Sequence, residues 1–215
     1  MTAEQLLTSD MPILRPIDTV KCALEMMDEC KVAHLPLVVE DQFKGLISES
    51  NLFECDESAV LAEVEVIPVF VDPNHHIYEV VSLMSRSDID VLPVVHRGIY
   101  MGCIDRGSVF NFFTQVAGWG AEGSTIVLVL PTHKFSLQEI SSIVEENGTQ
   151  ISSFNTSYDD SGEMTVTIKL NTVKIAPILE TFKRFDYKVT TFFDAPEVED
   201  EIRSKFDQFM RYLEQ

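Results

Sequence analysis

The sequence predicts a mixed α/β (α+β) protein: two β-α-β-β-α repeats, then a ferredoxin-like βαββαβ domain and a C-terminal helix. Three observations carry this. Met11–Phe53 aligns without a gap on Pro68–Phe110 at a constant offset of 57 residues, with eight identities in 43 positions. Those identities include Pro16/Pro73, Pro36/Pro93 and Gly45/Gly102, residues whose backbone demands are hard to exchange. The stretch Ala117–Ser124 holds three glycines in eight residues and ends the repeating rhythm.

In the first repeat, "PILRP" is a short apolar strand closed by Pro16. Asp18 or Thr19 can cap a helix in which Val20, Leu24 and Met27 recur at helical spacing. "AHLPLVVE" and "FKGLIS" form a β pair about the turn "DQ", and Glu49–Phe53 begins a short helix. The second repeat follows suit: "VFVDP", a helix with Ile77, Val81 and Met84, the pair "DVLPVVH" and "IYMGCID", and a helix ending in "VFNFF". The paired strands alternate little, which predicts burial on both faces.

Beyond the glycine-rich stretch, "TIVLVL" is a continuous β run. Ser136 and Glu139 make a capping box for a helix with Leu137, Ile140 and Val144 inward, and Gly148 suits its end. "DDSG" joins two strands into a hairpin, the second alternating through Met164, Val166, Ile168 and Leu170. Asn171 can cap a helix with Ile175, Ile178, Leu179 and Phe182 on one face, and "YKVTTFF" closes the sheet. A last helix carries an apolar stripe from Val198 to Leu213, for packing on its own domain or on a partner. The expected boundaries are 1–58 and 59–117 for the repeats, 118–123 for a linker holding Trp119, 124–195 for the third domain and 196–215 for the helix.

Net charge is −19, from 35 acids and 16 bases, spread over all three parts. That balance argues against nucleic acid and against an anionic membrane, both of which need a basic face. The first ten residues lack a basic, apolar leader, and no run approaches the roughly 18 apolar residues that span a bilayer. The expected compartment is the cytoplasm. Cys22, Cys30, Cys55 and Cys103 form no CxxC and read as core or near-surface thiols. There is no GxSxG, GxxxxGK[ST] or HExxH, so no metal site or catalytic residue is expected and the chain is not expected to be an enzyme. His75 and His76, neighbours at a helix start, read as capping or solvent-exposed residues.

The strands "LPLVV" and "LPVVH", the glycine opening the next strand, and "GLISESNL" in the first copy resemble the CBS domain family. Gly45, Ser48 and Asn51 carry the family's G-h-h-[ST]-x-x-[DN]-h signature. A hydroxyl and a carboxamide three residues apart on a strand-to-helix turn suit a phosphate and a ribose, and equally suit helix capping. The resemblance implies an adenine nucleotide (AMP, ADP or ATP) on Ser48 and Asn51, with His34, Leu35 and Pro36 lining the adenine pocket. Asn offers one acceptor oxygen where the family's commoner Asp offers two to the ribose diol. His34 alternatively reads as a satisfied, half-buried histidine.

The second copy departs from the signature: Asp105 stands in the Ser/Thr place and Ser108 in the Asp place, with Val91, Leu92 and Pro93 as the strand residues. This degenerate site is expected to be empty, or to take an uncharged ligand or a nucleoside without phosphates. The third domain resembles ACT domains by topology and placement, and the whole layout is similar to acetoin-utilisation-type CBS-ACT regulators. Its first turn, Pro131–Ser136, lacks the glycine of amino-acid-binding members, which favours a structural or dimerising role. Lys134 and His133 in that turn can meet an anion or face solvent. The resulting expectation is a non-catalytic sensor that forms a homodimer and signals to another protein. The alternative is a structural, dimeric interaction module with degenerate ligand sites.

Overall fold

A computed structural model describes residues 1–8, 11–116, 122–159 and 162–193. Trp119 and the predicted C-terminal helix lie outside them. The chain divides into two compact units, Met1–Phe112 and Phe113–Gln215.

The first unit contains α1 (Val20–Cys30), β1 (His34–Val39), β2 (Gln42–Ser48), α2 (Glu49–Leu52), α3 (Ile77–Arg86), β3 (Val91–His96), β4 (Ile99–Asp105) and the start of α4 (Arg106–Val116), which ends in the second unit. Its sheet runs β1-β2-β4-β3. Each hairpin is one repeat, and the two meet at their turn ends, where Gln42 pairs with Ile99. Both hairpins shift register at the same place, between Leu37 and Val38 and between Val94 and Val95. The predicted first strand of each repeat shrinks to one bridge, Leu14 to Leu37 and Val71 to Val94. Pro16 and Pro73 end the extended run. Leu14 N donates to Pro36 O at 2.8 Å and Val71 N to Pro93 O at 2.9 Å. These two prolines therefore turn their missing N–H toward the bridge and leave the hairpin ladder intact.

Thr19, not Asp18, caps α1: its hydroxyl accepts from Cys22 N, while Asp18 accepts from Arg15 N. Val20, Ala23 and Met27 are buried on α1, and Ile77, Val80 and Met84 on α3. The inward stripe thus lies one residue from the predicted Leu24 and Val81, which are half-buried. His76 caps α3 by accepting from Tyr78 N. Cys103 is buried, and burial pushes its thiol up to about 12, as suits a core residue.

The structural repeat begins earlier than the sequence identities do. A single-turn helix at Ala3–Leu6 bonds to the start of copy 2, with Ala3 N on His75 O and Glu4 N on Pro73 O. Another turn at Leu61–Glu63 does the same for copy 1, with Leu61 N on Asp18 O and Ala62 N on Pro16 O. The N-terminal arm thus covers copy 2 as the inter-repeat connection covers copy 1.

The second unit contains β5 (Thr125–Pro131), α5 (Leu137–Glu146), β6 (Ile151–Tyr158), β7 (Glu163–Leu170), α6 (Ala176–Arg184) and β8 (Val189–Phe193). Sheet order is β6-β7-β5-β8, the ferredoxin-like arrangement. Met164, Val166, Ile168 and Leu170 are all buried against Ile140, Ile143, Val144, Ile178 and Phe182. Half of the predicted capping box forms: Ser136 Oγ accepts from Glu139 N at 3.2 Å. The Glu139 carboxylate instead accepts from Tyr187 Oη at 2.6 Å. Leu137 points outward, 51% exposed, because the buried stripe runs through Ile140, Ile143 and Val144. Asn171 does not cap α6, which starts five residues later; its Oδ1 accepts from Gln150 N at 3.0 Å. Lys134 pairs with Asp186 at 2.6 Å.

Candidate functional site

The first-copy turn places Ser48 at the end of β2, where it caps α2. Its Oγ accepts from Asn51 N at 3.2 Å and lies 3.0 Å from Ser50 Oγ. Ser48 is buried, at 4% exposure. Asn51 Nδ2 donates to Glu65 O at 3.2 Å, tying the turn to the inter-repeat connection. Gly45 is required by that same connection. A Cβ there would lie 2.6 Å from Val66 Cβ and 3.3 Å from Ile67 O, and φ is +155°. Capping and chain packing therefore account for all three signature residues as they stand.

His34 opens β1, with Ser48 as its register partner. Leu35 and Pro36 are buried, and Leu35 belongs to the copy-1 core. Val91, Leu92 and Pro93 are buried likewise in copy 2. His34 Nδ1 lies 2.7 Å from Asp90 Oδ1, and Ala33 N donates to Asp90 Oδ2 at 2.6 Å. Burial alone would raise the Asp90 carboxyl, but the bonds from His34 and Ala33 outweigh it and hold the group below its usual range. Asp90 and Ala33 are equivalent positions of the two copies, so this contact marks where the pseudo-twofold axis passes between them.

The second-copy turn is wired differently. Asp105 receives Thr8 Oγ1 at 2.8 Å, Ser108 Oγ at 2.7 Å and Ser108 N at 2.9 Å. Burial would raise this carboxyl as well, yet the bonds from Ser108, Thr8 and Gly107 bring it below the ordinary value. Arg106 reaches outward to Asp88 at 3.3 Å.

A cavity of about 480 Å³ opens beside this second turn. Its wall crosses the repeat boundary: Lys31 and Val32 lead into β1, Asp90 into β3, and Asp105, Arg106 and Gly107 form the turn. Thr8 and Met11 of the N-terminal segment close one side. The volume lies within the range of small-molecule pockets. Sequence reasoning missed Thr8 and Asp90. In the fold Thr8 matches Ile67, since Thr8 bridges Cys103 as Ile67 bridges Leu46; that spacing is not the 57 of the repeat, so extending the repeat by its own offset does not reach Thr8. Asp90 is a carboxylate at the mouth of an apolar strand where copy 1 has Ala33, a contrast already visible in the sequence.

The family model described as CBS domain matches residues 3–57 and 63–114. Inosine-5'-monophosphate dehydrogenase of Korarchaeum cryptofilum is 26% identical over 111 residues, covering 50% of this chain and 23% of that enzyme's length. An AcuB-type acetoin utilization protein from Vibrio cholerae shares the fold, with a TM-score of 0.50 and 21% identity over 56% of this chain and 95% of that one. A CBS domain pair/ACT domain protein from Thermotoga maritima gives a TM-score of 0.49 and 19% identity, over 54% of this chain and 98% of the other. Each matched segment holds one hairpin, β1 with β2 in 3–57 and β3 with β4 in 63–114. Residues 3–57 and 63–114 of this chain are therefore a tandem pair of CBS domains.

Proposed function

We propose that the chain is a non-catalytic sensor that binds one adenine nucleotide at the first-copy turn and passes the signal to a partner protein. CBS pairs are commonly regulatory modules with adenosine ligands, which supports the class of function. The observation that carries the choice of cleft is the contrast between the turns. At the signature positions the first turn places the Ser48 hydroxyl and the Asn51 carboxamide, while the second places the Asp105 carboxylate and the Ser108 hydroxyl. Ser48 and Ser50 then serve the phosphate, Asn51 the ribose, and His34 the base.

The second unit, with its ferredoxin-like sheet, takes the place of an ACT-like domain with a structural or dimerising role. Phe53 and Phe110, equivalent in the two copies, are 70% and 64% exposed. Large apolar side chains left in equivalent places favour a twofold homodimer.

Titration of AMP, ADP, ATP and S-adenosylmethionine against wild type and Ser48→Ala tests the proposal. One site per chain, weakened in the variant, supports it; no binding of any adenosine compound overturns it. A second reading, a purely structural dimeric module, is favoured by one specific observation: Ser48 and Asn51 already have protein partners. It predicts a dimer whose stability none of these compounds changes.

A further inference from the structure

The sheet of the second unit has two unlike faces. Ile126, Leu128 and Leu130 of β5 and Met164, Val166 and Ile168 of β7 are buried against α5 and α6. The alternate residues turn the other way: Thr125, Val127 and Val129 on β5, and Thr165, Thr167 and Lys169 on β7. All six are half-buried. A solvated face of an antiparallel sheet is ordinarily polar. This one has two valines on a central strand and a single charge among the six, Lys169, whose Nζ donates to Gly123 O at 2.7 Å. In a chain of net charge −19, that is the composition of a layer made to be covered.

Where the chain leaves the sheet bears on what covers it. β8 is the edge strand beside β5, and Phe193 at its end shares a row with Thr125 and Lys169. Lying opposite Thr125, Phe193 belongs to the same face, and it is 59% exposed. Beyond it, outside the described residues, the sequence continues to Gln215. There Val198, Ile202, Phe206, Phe209 and Leu213 recur at helical spacing, with Asp200, Ser204, Asp207 and Arg211 on the opposite side.

Length and charge both fit this segment to the open face. Residues 198–213 make a helix about 24 Å long, and the 8 residues of β7 run about 27 Å. Residues 194–197 reach about 13 Å when extended. The midline of the face lies about 7 Å sideways from β8 and a packed layer about 10 Å above it, a diagonal of about 12 Å. Glu197, Glu199, Asp200 and Glu201 then fall at the end of the face that holds Lys169. So short a tether keeps the segment at an effective concentration on the order of millimolar at this face, which favours it over the same segment of a second copy.

We infer that the chain's own residues 198–213 pack as a helix on the open face of the second unit, antiparallel to β8. The apolar stripe lies over Val127 and Val129, and the acidic first turn lies at Lys169. The second unit is then a three-layer domain with helices on both sides of its sheet, and this face is closed to other partners.

The test uses the full chain with labelled valine methyls and labelled phenylalanine rings. Nuclear Overhauser contacts are expected from Val127 and Val129 to Phe206 and Phe209 within one chain. Their absence, while the β5–β7 ladder stays protected from amide exchange, overturns the inference. Contacts found only between differently labelled chains in a mixed sample assign the face to a second copy and overturn it as well. Trypsin supplies an independent readout at Arg203 and Lys205. Phe209→Asp leaves the sheet untouched and puts a carboxylate into the apolar stripe. Cleavage at those two sites is expected to be at least about tenfold faster in Phe209→Asp than in wild type. Equal cleavage in the two proteins overturns the docking.

Discussion

Asp90→Ala breaks the clamp between the copies. The Asp90 side chain is 17% exposed and its partner His34 12%. Two bonds end on it, at 2.7 Å from His34 and 2.6 Å from Ala33 N. Hydrogen bonds to a charged group contribute about 1.5–3 kcal/mol each, and the partial exposure takes the sum toward the lower end. The substitution is therefore expected to cost about 2–4 kcal/mol, leaving Ala33 N and the imidazole without their acceptor. The assay is urea unfolding followed by amide exchange in β1 and β3, with Asp28→Ala as control. Asp28 lies on α1, is 82% exposed and pairs with Lys31 on the surface, so its removal should leave stability nearly unchanged. The Asp90 carboxyl is lower in the folded than in the unfolded chain. Its contribution is thus present above the unfolded carboxylate value and fades as pH falls through the folded one. The gap between wild type and variant should narrow in acid. A loss below about 0.5 kcal/mol at neutral pH, with Ala33 exchange unaltered, refutes the clamp.

Gly45→Ala should destabilise by about 2–4 kcal/mol, from the collision with Val66 and the left-handed backbone. Gly98→Ala, with φ +86° and no atom within 4 Å of the added Cβ, should cost only about 1 kcal/mol; urea midpoints compare the two. Ser136→Ala removes the α5 cap and should cost about 1 kcal/mol, with faster exchange confined to the second unit. Tyr187→Phe loses the bond to Glu139 and should cost about 1 kcal/mol by the same assay. Asp105, like Asp90, has a depressed carboxyl, so attachment of the arm should weaken as pH falls through its folded value; Thr8 exchange against pH measures this.

The architecture was largely legible because the repeat announces itself through residues with strict backbone needs. Pro36 and Pro93 sit where a missing N–H costs nothing, and Gly45 sits where the connection leaves no room for a side chain. The hairpin of the second unit was legible from strict alternation, which only one register can satisfy. Elements fixed by tertiary partners were not legible. Leu137 obeys the helical spacing but lies outside the face set by Ile140, Ile143 and Val144. Glu139 has the sequence of a capping box, yet a tyrosine 48 residues away takes its carboxylate. The site followed the same rule. The substitution of Ser48 by Asp105 was plain in the repeat, but its compensation by Thr8 comes from 97 residues earlier in the chain. Likewise, Asp90 shows its role only when the two copies face each other across the pseudo-twofold axis.

The most direct test of the central claim is calorimetric titration of wild type with AMP, read as stoichiometry and repeated on Ser48→Ala. Because Ser48 also caps α2, the variant's unfolding midpoint is measured alongside, so that lost binding is separated from lost folding. The account predicts one AMP per chain, with weakened binding in a variant that remains folded. Wild type that binds no adenosine compound, or Ser48→Ala that binds AMP as tightly as wild type, would contradict it.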